Sequence, residues 1–197
     1  MFPSHDTGEG KIKSVTIKSD ALEELLTGAI THVHKDDTLP ALNAVRIWAT
    51  GGRVYVAATD RYRILEGWKE GEGEIDAVLI RLNDVKRVIT LAKGDKRRFA
   101  LPVTITVTGG LVSVAAGGDS LTLSAWEGNF PPYEHLFPTN DPVAIPAIQF
   151  NPLFFSDYGK IAGKGNPVGV RFYGENKPIV IELGENWRAL LMPMRRR

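Results

Sequence analysis

His32 and His34 stand two residues apart, a spacing that could bring two imidazoles to one cation. No cysteine occurs in the 197 residues, and no nearby acidic cluster completes a coordination shell, so the pair argues against a metal site. Asp60 follows Thr59 at the end of an expected strand, where a carboxylate more often fixes a turn than removes a proton. The glycine pairs at 51–52, 109–110 and 117–118 lack the Lys-Ser/Thr that a phosphate loop requires. No nucleophile, base and orienting group can be assembled from these positions. The chemistry on offer is binding: the expectation is no enzyme, no metal and no cofactor.

Composition narrows the class. With 43% apolar and 24% charged residues, the chain has the balance of a folded globular protein. Its apolar runs are too short to span a bilayer, so no membrane partner is expected. Residues 1–11 lack a basic region followed by an apolar one, and read as a flexible leader rather than a signal peptide. The absence of cysteine fits a reducing compartment, and the expected location is cytoplasmic. A net charge of +1 does not announce a polyanion partner by itself.

The elements that position these residues repeat. Val45–Ala58 and Val103–Ala116 agree at nine of fourteen positions, each reading as strand, glycine turn and return strand. Each is preceded by a strand and a helix. Ser14–Lys18 leads to a helix over 21–33, which Asp20 would cap, with Leu22, Leu25, Leu26, Ile30 and Val33 on one stripe. Ile75–Arg81 leads to a helix over 84–92 that Asn83 would cap and Gly94 would end. Arg61–Trp68 and Ser120–Trp126 supply the last strands of these two units. A third, diverged copy runs from the strand Val143–Phe150 through an Asn151-capped helix with Pro152 at its first position. It continues through Val168–Gly174, a turn at Gly174–Lys177, Pro178–Leu183 and Trp187–Met194. Each unit is β-α-β-β-β. The Pro-rich and aromatic stretch from Gly128 reads as an ordered connector.

Three motifs in order make the arrangement specific. Ala57-Ala-Thr-Asp-Arg-Tyr-Arg-Ile64 resembles the Ala-Thr-Asp-Gly-His-Arg-Leu motif of the bacterial DNA sliding clamp, the beta subunit of DNA polymerase III. Gly128-Asn-Phe-Pro-Pro-Tyr133, followed by Leu136 and Pro138, resembles its Gly-Arg-Phe-Pro-Asp-Tyr linker, and Leu190-Leu-Met-Pro-Met-Arg195 its Val-Val-Met-Pro-Met-Arg ending. The resemblance implies an α+β DNA clamp (processivity) fold of three β-α-β-β-β units, with antiparallel sheets outside and helices lining the inner face. It implies a leader at 1–11, a complete clamp domain over 12–127, a connector at 128–142 and a half clamp domain over 143–197. The family protomer has six units, and the middle domain plus the second half of the C-terminal domain are what this chain resembles. Here Arg61-Tyr62 replaces the motif's Gly-His, and the sequence ends Arg195-Arg-Arg197.

The family's functional positions carry over by motif. A pocket for short clamp-binding peptides is expected at Thr59, Tyr62, Arg63, Ile64, Pro131, His135, Leu136, Asn151, Phe154, Leu191, Met192, Pro193, Met194 and Arg195. The bland alternative is that these residues cement the junction between domain and half domain. Sequence-independent contact with duplex DNA is expected from Lys86, Arg87, Lys93, Lys96, Arg97, Arg98, Lys160 and Lys164, with His34 and Lys35 at the end of the first helix. The alternative there is a solvated helix face, and Glu23-Glu24 weakens the first helix as a DNA surface. The implied function is a polymerase processivity factor that encircles DNA and binds the polymerase and other proteins carrying the peptide motif. The need for a clamp loader and a phage or plasmid source stay open. Half a domain leaves edges uncovered, so a homo-oligomer is expected, and four chains of three units would restore the family's twelve-unit ring. The rival function is a non-encircling clamp mimic, an adaptor or antagonist that binds clamp-interacting peptides or a host clamp. A third is a structural protein with a dead pocket.

Overall fold

A computed structural model of the chain describes residues 12–36, 38–94, 100–145 and 147–194. The two repeated hairpins form as expected. β2 (Ala44–Thr50) and β3 (Arg53–Thr59) turn at Gly51-Gly52, while β7 (Pro102–Thr108) and β8 (Leu111–Ala116) turn at Gly109-Gly110. All four glycines have positive φ, between 55° and 81°, the backbone that a two-residue hairpin turn demands.

Each repeat hands its first strand to the other. β1 (Lys13–Lys18) precedes α1 (Ser19–Ala29) in the first repeat but pairs with β7 of the second. β6 (Ile75–Arg81) precedes α2 (Leu82–Lys93) in the second but pairs with β2 of the first. With the short β5 (Glu72–Gly73) and β9 (Asp119–Ser124), this exchange gives a five-stranded sheet β5-β1-β7-β8-β9, while β4 (Arg63–Glu70) joins the other sheet. The other sheet has seven strands in the order β10-β11-β12-β4-β3-β2-β6, three of them from the last repeat: β10 (Val168–Arg171), β11 (Ile179–Leu183) and β12 (Trp187–Leu191). All pairings are antiparallel. The fold is α+β, as expected.

The core lies between sheets and helices. Leu22, Leu25, Leu26 and Ala29 of α1 meet Val85, Val88, Ile89 and Ala92 of α2 in one apolar cluster with the inward residues of both sheets. Burial of each Val, Leu or Ile side chain among them stabilises by roughly 1.5–3 kcal/mol. The last repeat docks on the first by pairing β12 with β4, Leu191 opposite Arg63 through Trp187 opposite Gly67. Trp187 needs two glycines for this: a Cβ at Gly67 would lie 2.2 Å from its ring, and one at Gly28 of α1 would lie 2.5 Å away.

Several expectations are corrected. Asp20 lies inside α1, where its Oδ1 accepts from the Ala21 amide, and the cap position is Lys18. α1 stops at Ala29 instead of Val33, since Thr31 Oγ1 and the Thr31 amide both bond the Gly28 carbonyl and close the last turn. α2 starts at Leu82, which displaces Asn83 from the cap to the first turn. β4 starts at Arg63, because Asp60, Arg61 and Tyr62 form a turn held by Asp60 Oδ1. Arg61 takes φ +79° there. The expected strand at Val143–Phe150 is absent among its described residues, which find no strand to pair with. Asn151 does cap α3 (Pro152–Ala162), accepting from the Leu153 amide at 3.0 Å. The expected leader at 1–11 lies outside the described residues.

Candidate functional site

The expected pocket residues divide into a buried weld and an exposed ridge. Arg63, at the start of β4, is the centre of the weld. Its Nε bonds Asp60 at 2.9 Å, Nη1 bonds Asp157 and the Phe154 carbonyl of α3 at 2.9 and 3.0 Å, and Nη2 bonds the Thr31 carbonyl at 2.8 Å. A guanidinium offers five donors in a fixed fork, and here it ties the Asp60 turn, the end of α1 and α3 together. Burial opposes the charge of Asp157, but hydrogen bonds from Lys160 and Arg63 outweigh it and hold the carboxyl below its ordinary range. Thr59 is buried and donates to the Arg63 carbonyl at 2.8 Å. Leu191 is fully buried, Ile64 nearly so, and Asn151 spends its side chain on the α3 cap. Of these, Arg63 joins the Asp60 turn and the end of α1 to α3, and Leu191 of β12 pairs opposite Arg63.

The ridge lies on top of the weld. Tyr62 is 55% exposed and stacks on Phe154, ring centroids 6.0 Å apart. Met192 and Met194 are 44% and 56% exposed. Both are fixed by backbone bonds: the Met192 amide donates to Tyr62 and the Met194 amide to Gln149, at 2.9 and 2.7 Å. Pro193 between them is half-buried. Exposed methionines beside an aromatic give an adaptable apolar surface with a rigid backbone. Arg195 lies outside the described residues.

The connector adds the remaining candidates. Tyr133, fully buried, packs with Ala57 and Ile64 on the outer side of the seven-stranded sheet, with Phe130 and Phe137 around it. Its hydroxyl donates a very short hydrogen bond to Glu66, whose other oxygen takes Arg188 Nε at 2.8 Å. Burial, then the bond to Glu66, pushes the Tyr133 hydroxyl far above its ordinary pKa, so it is a donor at every working pH. This latch fixes the segment that carries Pro131, His135 and Leu136; His135 and Leu136 are exposed and Pro131 is half-buried. Sequence reading missed Glu66, Arg188, Asp157 and the latch. Tyr133 lies within the connector motif, but nothing local marks Glu66 and Arg188, 122 residues apart, as its partners.

Beneath the weld, His32 and Tyr158 lie against each other, rings 5.3 Å apart, with His32 Nε2 and the Tyr158 hydroxyl lacking partners among the described residues. Burial, and then the Arg63 charge, hold His32 well below its ordinary pKa, so it is neutral. Its Nδ1 faces Thr31 Oγ1 at 2.7 Å.

The basic candidates scatter more widely. Lys86, Arg87 and Lys93 are exposed on α2, and Lys160 and Lys164 on α3 and just beyond it. Arg87 pairs with Asp84, Lys93 with Glu23 and Lys160 with Asp157, at 2.9, 3.3 and 2.7 Å. Lys96, Arg97 and Arg98 lie outside the described residues. Glu23 and Glu24 are answered by Lys93 and Lys69, so α1 presents matched charges instead of a basic face.

No protein-family profile matches the chain. It is 32% identical over 162 residues to the beta sliding clamp of Streptomyces coelicolor, covering 77% of this chain and 41% of that protein. The beta sliding clamp of Micrococcus luteus is 29% identical over 131 residues, 65% of this chain and 42% of that one. A beta sliding clamp homolog, GriR, of Streptomyces muensis is 28% identical over 127 residues, with 62% and 33% covered. The chain thus spans about two fifths of the length of the first two curated relatives. Among solved structures, the DNA polymerase III beta subunit of Thermotoga maritima superposes on 100% of this chain and 69% of its own with a TM-score of 0.81, at 17% identity. The sliding clamp of Pseudomonas aeruginosa covers 99% and 69% with a TM-score of 0.79, at 14% identity. Shared sequence and shared fold together make the chain a relative of the bacterial beta sliding clamps, with the clamp fold present as two interlocked repeats and a third docked beside them.

Proposed function

We propose that the chain is a sliding-clamp processivity factor that encircles duplex DNA as a ring of four copies and receives clamp-binding peptides on the Tyr62–Phe154–Met192 ridge. The observation that carries the peptide reading is the division of the site. Arg63, Thr59 and Leu191 hold the junction, yet Tyr62, Met192 and Met194 stay exposed above it on fixed backbone. A junction alone needs no exposed methionines. Apolar anchors of a peptide would settle on that ridge, with the latched connector as one wall. Lys86 and Lys164, which form no ion pair among the described residues, are the best candidates for phosphate contact. A surface that holds phosphates without reading bases suits a protein that must slide. The open edges of β9 and β10 are the places where copies would join.

Retention on nicked circular duplex DNA, with release when the circle is linearised, is the expected result. Equal retention on both forms, or on neither, would refute encirclement. A second reading is favoured by the repeat count: three units in one chain do not close a two-chain ring of the family's size. In it the protein is a non-encircling mimic that binds clamp-interacting peptides. Peptide binding without topological retention would establish it. Loss of peptide binding in Met192→Ala is expected under both readings and excludes a structural protein with a dead site.

A further inference from the structure

The first two repeats supply an internal template for the third. Ile17 of β1 lies opposite Val103 of the second repeat, and Ile80 of β6 lies opposite Val45 of the first. Two residues back along each strand, Val15 faces Ile105 and Val78 faces Ile47. The third repeat carries apolar residues in the same places. Phe150 stands one residue before the cap Asn151, as Ile17 and Ile80 stand one before Lys18 and Arg81. Val168 and Val170 open β10 as Val45 and Ile47 open β2, and as Val103 and Ile105 open β7.

The burial differs. Val45, Ile47, Val103 and Ile105 are buried, whereas Val168 and Val170 are only half-buried, and among the described residues β10 pairs with β11 alone. On the helices, Phe155 takes the place of Leu22 and Val85, and Ala162 that of Ala29 and Ala92. The four template residues are buried, but Phe155 and Ala162 are half-exposed. Gly159 takes the place of Leu26 and Ile89. It is exposed, and no atom lies within 4 Å of where its Cβ would be.

We propose that a second copy of this chain completes the third repeat. Two third repeats exchange residues 147–150 about a two-fold axis. Phe150 then lies opposite Val168 of the second copy, Ile148 opposite its Val170, and the two α3 helices meet at Gly159. The contact is isologous, so one surface suffices for both partners.

The backbone polarity agrees with this register. Gln149 turns its carbonyl to the Met194 amide, so alternation along the segment turns those of Ile148 and Phe150 the other way. Phe172 turns its carbonyl to the open edge, where it accepts from Val143, so alternation puts the polar groups of Val168 and Val170 on that edge too. The register brings these two outward-facing sets together. Met194 beyond Gln149 repeats the place of Glu72 beyond Thr16. The exchange gives up the Val143–Phe172 bond and gains a ladder, which removes the exposed edge.

This deepens the ring reading by specifying one of its contacts, and rests on it only for ring closure. Three measurements on the full chain test it. Sedimentation at micromolar concentration is expected to give an even multiple of the chain mass; a monomer overturns the proposal. Ala147→Cys with Arg171→Cys occupies the place of Ser14 opposite Thr106 in the template. Mild oxidation is expected to give a covalent dimer, while Ser14→Cys with Thr106→Cys closes within one chain. Failure of the first pair while the second closes overturns the register. Gly159→Arg meets open space in the single chain and is expected to weaken self-association at least tenfold without lowering the helical signal. Unchanged association overturns the helix contact. A cross-linked dimer that fails to stay on circular DNA supports the interface and sinks the ring alone.

Discussion

The first and third repeats carry the same pattern of apolar residues and bury it to different extents. Leu22, Leu25 and Ala29 of α1 are fully buried against α2, whereas of their counterparts in α3 only Tyr158 is buried. Phe155 and Ala162 remain half-exposed. The difference is not one of sequence quality, since α3 has a better cap than either of the others. It arises because helix burial in this fold is reciprocal. Each of the first two repeats is covered by a sister that gives it a strand and a helix, and among the described residues the third has none. What attaches the third repeat is a sheet ladder, Trp187 and the charged weld around Arg63.

The comparison can be broken most severely at Arg63. Replacing it by Ala leaves half-buried Asp60 without its cation and Asp157 with Lys160 alone, and removes the donors to the Phe154 and Thr31 carbonyls; a loss of about 3–5 kcal/mol is expected. Chemical denaturation should show it, with the third repeat becoming sensitive to protease first. Next in size, Leu22→Ala should cost about 2–5 kcal/mol at any protein concentration, because its cover comes from the same chain. Phe155→Ala should cost clearly less in dilute solution and approach that range as concentration rises. Equal costs at all concentrations would erase the distinction between the repeats.

Tyr133→Phe removes the donor to Glu66 and should cost about 1–3 kcal/mol, read as a lower melting temperature, with the connector's amides exchanging faster. His32 gives the junction a pH dependence. Its folded pKa lies below that of the unfolded chain, near the ordinary value of 6.5, so the unfolded state takes up the proton more readily. Stability should be level above about pH 7 and fall below about pH 6.5, by at most ~1.4 kcal/mol per pH unit. In His32→Phe that slope should flatten, and a slope unchanged by the substitution would assign it elsewhere. Smallest of all, Met192→Ala should change stability by within about 0.5 kcal/mol, since the side chain is exposed, yet abolish peptide binding.

Much of this architecture was legible in the chain because its signals are local. Paired glycines require a turn, alternation of Val and Ile marks a strand, and Asn151-Pro152 starts a helix by its own chemistry. The exposed ridge was legible in part, through the motifs that hold Tyr62 and Met192. The errors fall where the deciding partner is distant. Val143–Phe150 alternates as a strand should, but a strand requires a neighbour to bond, and none of the described strands reaches it. The bond from Arg63 to Asp157, 94 residues away, is marked by nothing local in the chain.

The sequence alone determined the repeated hairpins and the apolar stripes of α1 and α2, because periods of two and of 3.6 residues are properties of the backbone. Only the tertiary structure decided which of those faces are covered, which charges are consumed in the weld and which apolar residues remain on the surface. Burial and pairing depend on what arrives from far along the chain. For the third repeat, the described residues bring a sheet ladder and the Arg63 weld, but no second strand and helix of the kind the first two repeats give each other.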